Sequence, residues 1–251
     1  MRKFIFVLVL CVVVVGAAYT VRQHAHPAAT STHSNTPVMA AKNTDGFNKQ
    51  AYSTTDPTSI WVIANKQHAL HPKDYVPKDL VIPDVPLRVP GNESMQVRQV
   101  TATAMEEMFA GAKKDGIELM LSSGYRSYTY QVNLYNGYVA AQGQATADTQ
   151  SARPGYSEHQ TGLAADVEPV SKNCEVESCF GDTPEGKWVA ANAYKYGFIV
   201  RYPTGDEAVT GYEPEPWHIR YIGTTLSNEL HRTHTATLEQ FFSVKGGTVY
   251  N

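Results

Sequence analysis

Between residues 93 and 115 the apolar side chains Val97, Val100, Ala104, Met105, Met108 and Ala112 recur every three or four positions. That spacing lines one face of a helix, and Gly116 is placed to end it. The period then changes. Ile117-Glu118-Leu119-Met120-Leu121 alternates as a strand does, and residues 122–127 read as a turn into a second helix. On that helix Tyr128, Val132, Tyr135, Tyr138 and Val139 share a side expected to face the core. Residues 145–155 end in Arg153-Pro154-Gly155, a loop signal, and Leu163-Ala164-Ala165-Asp166-Val167 reads as a buried strand. Thr183 is placed as a helix cap with Pro184 at the first helical position, and Trp188, Ala191 and Tyr194 form the expected inner face before Gly197. Two more strands are expected at 198–202 and 217–221, then two short helices near 226–231 and 238–242. Upstream, residues 60–65 form a short β-like run. Pro72, Pro77, Pro83, Pro86 and Pro90 argue against helix in the arm that follows, which is expected to wrap the domain. Helices and strands mix without a regular βαβ repeat, so the fold class is α+β, a central antiparallel sheet flanked by helices.

The N-terminus sets the compartment. Arg2 and Lys3 precede an apolar run from Phe4 to Val15, and Gly16-Ala17-Ala18 supplies the small residues of a cleavage site, so residues 1–19 read as an export signal. The run is short of the ~20 residues of a spanning helix, and a cleaved signal and a retained anchor both stay open. Cys11 reads as an apolar residue of that signal, since Leu8-Val9-Leu10 before it lacks the small residues of lipoprotein processing. Residues 20–55 are poor in large apolar side chains and read as a disordered linker in which His24, His26 and His33 are solvated. The catalytic domain is expected over 56–251. An apolar content of 42% is that of a globular protein, and 21 basic residues without a long run, at a net charge of −3, do not suit nucleic acid. Cys174 and Cys179 read as a local disulfide in an oxidising compartment. Two thiols cannot build a Cys₄ zinc site.

Chemistry concentrates in two stretches: Ser157-Glu158-His159-Gln160-Thr161-Gly162-Leu163-Ala164-Ala165-Asp166 and Glu215-Pro216-Trp217-His218. Together they offer two imidazoles, a carboxylate spaced to share a cation with them, and a second carboxylate three positions before the last histidine. That is the inventory of a catalytic zinc site: three N/O ligands, a fourth position left to water, and a base. His218 is too distant in sequence for local structure to bring it to Asp166, so their convergence is a tertiary expectation. A regular strand would send Glu215 and His218 to opposite faces; Pro214 and Pro216 can supply the bend that reunites them.

The pattern Ser157-x-His159-x-x-Gly162-x-Ala164-Ala165-Asp166 followed by Glu215-x-Trp217-His218 resembles the zinc-dependent D-alanyl-D-alanine carboxypeptidases of VanY type, relatives of the VanX dipeptidases and of the hedgehog signalling fold. The likeness runs from Ile60-Trp61-Val62-Ile63-Ala64-Asn65-Lys66, through Tyr75-Val76-Pro77-Lys78-Asp79-Leu80 and Ser123-Gly124-Tyr125-Arg126-Ser127, to Tyr221. It implies that His159, Asp166 and His218 bind zinc, that Glu215 is the catalytic base and that Arg126 holds the substrate's terminal carboxylate. Ser123, Gln131 and Ser157 match polar positions near the substrate. The implied partner is a peptidoglycan stem peptide met outside the cell; the chain is expected to be a monomer, touching the membrane only if the N-terminal segment is retained as an anchor. Removal of the last D-alanine by D,D-cleavage comes first; L,D-cleavage of the tetrapeptide and a wall-binding module without catalysis are the alternatives. Intact Glu215 and three ligands count against the last, and a structural zinc domain would need a fourth ligand and no spare base.

Overall fold

The structure, a computed structural model, describes residues 46–251. The expected signal or anchor over 1–19 and the linker up to residue 45 lie outside the described residues. Among the described residues no helix is long and apolar enough to cross a membrane. Residues ahead of 56 also pack on the unit: Phe47 stacks on Trp61, and Tyr52 meets the same indole edge-on.

The proline-rich arm does wrap the unit. Its Leu80–Val81 (β1) pairs antiparallel with Val97–Arg98 (β2). Further on, Arg88 N–H donates to the Leu121 carbonyl at 2.9 Å and Leu121 N–H to the Pro86 carbonyl at 2.8 Å. The arm thereby satisfies the outer edge of the main sheet. That sheet is antiparallel, with β3 (Leu119–Ser123), β4 (Ala164–Pro169), β5 (Phe198–Tyr202) and β6 (Glu215–Tyr221) in the spatial order β3-β4-β6-β5.

Alternation across these strands divides core from site. Successive residues face opposite sides, so β4 sends Ala165 and Val167 into the main core and Asp166 the other way, while β6 sends Ile219 inward and His218 and Arg220 outward with Asp166. The core side is filled by Met105, Met108 and Phe109 of α1 (Gln99–Lys114), with Leu121, Phe180 and Phe198. A second cluster joins Trp61 and Ile63 to Ile222, Leu226 and Leu230 on one side and Leu238 and Phe241 on the other, with the Trp61 indole N–H bonded to the Ile222 carbonyl at 2.9 Å.

Several elements differ from expectation. The first helix starts at 99, not 93: Asn92 caps a single 3₁₀ turn, Glu93–Met95, and Val97–Arg98 is drawn into the ribbon with β1. Val100 is consequently 40% exposed. Residues 61–65 are buried and Ile60 partly so, but the run is irregular, closed by a turn in which Asn65 and His68 bond each other. On α2 (Tyr128–Gln142) only Gln131 and Tyr135 are buried, and Tyr138 is 39% exposed. This helix lies on the rim against α3 (Gln144–Gln150), a helix where a loop is expected, and the core clusters contain none of its side chains. On α4 (Pro184–Asn192) the expected cap is present, Thr183 Oγ1 accepting from Gly186 N–H at 3.0 Å, but Val189 rather than Ala191 faces inward.

Candidate active site

Asp166 and His218 are register partners in the β4–β6 ladder, and their side chains leave the sheet on the same face. The third member arrives from the turn before β4. Residues Glu158–Thr161 form one turn of 3₁₀ helix, and Gly162, at φ 66°, turns the chain into the strand. A Cβ at Gly162 would stand 2.9 Å from Arg98 Cγ and 3.0 Å from Leu80 Cδ2. Both the left-handed backbone and the close passage of the β1–β2 ribbon therefore require glycine.

On this turn His159 brings Nε2 to 3.4 Å from Asp166 Oδ1, while its Nδ1 lies 2.7 Å from the Gly124 carbonyl oxygen. A carbonyl only accepts, so Nδ1 carries the proton and Nε2 offers a lone pair. His218 sets Nδ1 3.5 Å from the same Asp166 Oδ1. One ligand atom from each of the three buried residues lies within 4.8 Å of the others. Asp166 Oδ2 accepts from Arg126 Nη2, but Oδ1 has no hydrogen-bond partner. A buried carboxylate oxygen without a partner, facing two imidazole nitrogens, is costly unless a cation joins them. Two nitrogens and one oxygen are also the donors of a catalytic zinc site, so these residues fit that metal.

Electrostatics agree with the fit. Burial, aided by the Arg126 charge, lowers the His159 pKa to about 4, which keeps the imidazole neutral and able to ligate. Burial alone would raise Asp166, but the His159 imidazole and the Arg126 guanidinium outweigh it and hold the carboxyl well below the usual range.

Glu215 opens β6 where the strand is irregular. Tyr202 faces Glu215 while Val200 faces Ile219, so four residue steps on β6 match two on β5. The mismatch between Glu215 and Ile219 breaks strict alternation and returns Glu215 to His218, its Oε2 lying 3.1 Å from Nδ1. Burial pushes the Glu215 carboxyl above its ordinary value, with His218 acting in the opposite direction. A single extra residue in β3, where the register with β4 shifts between Leu121 and Ser123, sets Ser123 opposite Asp166. Ser123 Oγ accepts from Arg126 Nε at 3.0 Å, so Ser123 holds Arg126.

These groups open on a cleft of about 570 Å³ also lined by Ser157, Gln131, Tyr202 and Trp217. The Gln131 amide is committed to the wall itself, donating to the Ala152 carbonyl at 2.7 Å. One side of the cleft is formed by residues 176–179, held by the Cys174–Cys179 disulfide and by Arg88, which pairs with Glu175 at 2.6 Å and with Glu168 of β4 at 2.9 Å. Sequence reasoning missed this wall, Tyr202, and the buried Glu158, to which it gave no role.

The comparisons with known proteins bear on the same residues. The model of the VanY family, D-alanyl-D-alanine carboxypeptidase, matches residues 94–224, which contain every residue of the site. The chain belongs to the VanY family. Among relatives, the putative carboxypeptidase YodJ of Bacillus subtilis (strain 168) is 46% identical over 190 residues, 74% of this chain and 68% of that protein. Among solved structures, that of the LdcB LD-carboxypeptidase is 45% identical with a TM-score of 0.71, covering 75% of this chain and 88% of its own. A mutant of the vancomycin resistance D,D-pentapeptidase VanY, solved with Zn(II), is 28% identical with a TM-score of 0.59, covering 72% of this chain and 97% of its own. As a VanY-family member with this α+β architecture, the chain is a carboxypeptidase of the kind that acts on peptidoglycan peptides.

Proposed function

We propose that this protein is an exported zinc carboxypeptidase that removes the C-terminal D-alanine from peptidoglycan stem peptides, working as a monomer in the cell wall or at the outer face of the membrane. The catalytic domain of this reading is the unit that starts at Gly46, and residues 1–19 direct its export. The observation that carries the proposal is Asp166 Oδ1, buried and unpartnered between the His159 and His218 nitrogens, with a free carboxylate, Glu215, 3.1 Å from His218 Nδ1.

In this reading His159 Nε2, Asp166 Oδ1 and His218 Nδ1 hold the metal. Zinc, when bound, supplies Lewis acidity that makes water nucleophilic near neutral pH and polarises the scissile carbonyl. Glu215 takes the proton of the attacking water on its carboxylate and hands it to the amine of the departing D-alanine as the C–N bond breaks. A carboxyl raised by burial is suited to both halves of that transfer. Arg126 spends Nε on Ser123 and one Nη2 hydrogen on Asp166, and three of its five N–H donors remain for the substrate's terminal carboxylate. Ser157 and Gln131 border the peptide.

The motifs alone put D,D-cleavage of the pentapeptide first. The likeness to LdcB, at 45% identity against 28% for the D,D-pentapeptidase, favours L,D-cleavage of the tetrapeptide instead. The VanY family description and the D-alanyl-D-alanine carboxypeptidase of Enterococcus faecium, 40% identical over 123 residues, keep D,D-cleavage as the second reading. Incubation of the zinc-loaded protein with tetra- and pentapeptide stems, with products weighed by mass spectrometry, separates them. Loss of one alanine from the tetrapeptide supports the first reading, and loss confined to the pentapeptide supports the second. Loss from neither removes the enzyme assignment.

A further inference from the structure

Behind His218, on the side away from Asp166, lies a carboxylate that the reaction as described does not use. Glu158 is 1% exposed, and its Oε1 accepts from Arg201 Nε at 2.9 Å and from Arg220 Nη1 at 2.6 Å. Its Oε2 has no hydrogen-bond partner and stands 3.9 Å from His218 Nε2, which is also buried without one. At 3.9 Å the gap is too narrow for a bridging water and too wide for a formed hydrogen bond. Two orphaned polar atoms therefore face each other, one a pure acceptor and the other able to donate.

The surroundings fix the carboxylate, not the ring. Arg201 of β5 is clamped by Glu239 of α7 (Leu238–Phe242) through two bonds of 2.9 and 2.7 Å, and Asn65 bonds Glu239 at 2.9 Å. Arg220 of β6 reaches the carbonyls of Ile60 and Val62 at 3.1 and 2.7 Å. Two carboxylates and two guanidiniums, all buried, form one network. Such a network is a weak source of stability, because desolvating its charges offsets most of their attraction. Its geometry, however, holds one oxygen at the back of a metal ligand.

We propose that Glu158 is the positioning residue of the metal centre: its Oε2 accepts the His218 Nε2 proton, which leaves the Nδ1 lone pair to face the cation. Ring orientation and tautomer of His218 are then set by the Glu158 carboxylate, as the Gly124 carbonyl sets them for His159. The inference rests on the zinc reading above.

The test compares zinc affinity, by chelator competition, in the wild type, Glu158→Gln and Glu239→Gln. In Glu158→Gln the carboxamide oxygen can still face the arginines, but its NH₂ then points at Nε2 and selects the wrong tautomer. Affinity is expected to fall about 10–100-fold. Glu239→Gln loosens the same network without touching His218, and is expected to lose stability while binding zinc as the wild type does. Equal affinity in wild type and Glu158→Gln, or equal losses in both variants, overturns the proposal. If Glu158→Gln does not fold, the zinc-loaded wild type decides by NMR. A His218 Nε2–H signal displaced downfield, as in a bond to a carboxylate, is expected, and a signal at the position of an unbonded imidazole N–H overturns it. A wild type that binds no zinc refutes the zinc reading itself, a result distinct from any of these.

Discussion

Arg126 holds Asp166 by the oxygen that does not face the imidazoles, Nη2 donating to Oδ2, and so leaves Oδ1 aimed between His159 and His218. The same guanidinium is anchored through Nε to Ser123 and is one-fifth exposed towards the cleft. One planar group thus touches the Asp166 carboxylate and lines the cleft proposed to take the substrate carboxylate.

Arg126→Lys is therefore expected to cost more than a change between two cations suggests, because a point charge cannot reproduce the paired bonds. Hydrogen bonds to charged groups contribute about 1.5–3 kcal/mol, so kcat/KM should fall roughly 10–100-fold. Amidating the substrate's C-terminus should hurt the wild type and add little further loss in the variant. Equal penalties from amidation in both would show that Arg126 does not meet the carboxylate.

His218→Ala removes one of the three ligands proposed above and leaves the β4–β6 backbone pairing and the core-facing Ile219 in place. Zinc content after dialysis is expected to drop sharply while the far-ultraviolet circular dichroism stays that of the wild type. A fully loaded His218→Ala protein would mean that the metal is held elsewhere.

At Gly162, alanine would have to adopt φ 66° and place its methyl 2.9 Å from Arg98 Cγ. The left-handed conformation alone costs about 1–2 kcal/mol, and the clash adds to it. Gly162→Ala should lower Tm by several degrees, at roughly 2–4 °C per kcal/mol for a domain of this size, and should weaken zinc binding through displacement of His159. An unchanged Tm would mean that the turn relaxes freely.

Acid sensitivity should trace partly to Glu239. Burial opposes its charge, but Arg201 outweighs burial and holds the folded-state pKa below the ordinary 4.5. A depressed carboxyl contributes stability above the unfolded-state value and loses it as pH falls through the folded one. At neutral pH Glu239→Gln, which leaves Arg201 with one carboxylate fewer, should cost about 3–5 kcal/mol. That gap from the wild type should narrow as pH drops below about 4.5 in denaturant titrations. A gap independent of pH would count against the ion pair as its cause.

The legible part of this protein was local. Within Ser157 to Asp166 the candidate donors His159 and Asp166 and the turn glycine between them could be read because those residues lie within one turn and one strand. Residues 198–202 and 217–221 read as strands, and both strands are present. The first helix was extended six residues too far because Val97 fits a helical face as well as a strand, and only pairing with Leu80–Val81, distant in sequence, decides. Glu158 was invisible for the same reason: its meaning depends on Arg201 and Arg220. A signal existed for Arg201, which interrupts the otherwise apolar strand Phe198–Tyr202, a position where a charge must find a buried partner. Nothing in the sequence named Glu158 as that partner.

The most direct test of the account lies at Glu215, which stands beside His218 and is given the proton rather than the metal. Glu215→Gln keeps the shape and removes the acceptor, so measuring turnover of a stem peptide and bound zinc on the same preparation separates the two roles. General-base contributions run to about 10²–10⁴ in rate. The account predicts a fall in kcat of at least about a hundredfold at wild-type zinc content. Near-normal turnover, or lost activity that returns fully on adding zinc, would contradict it.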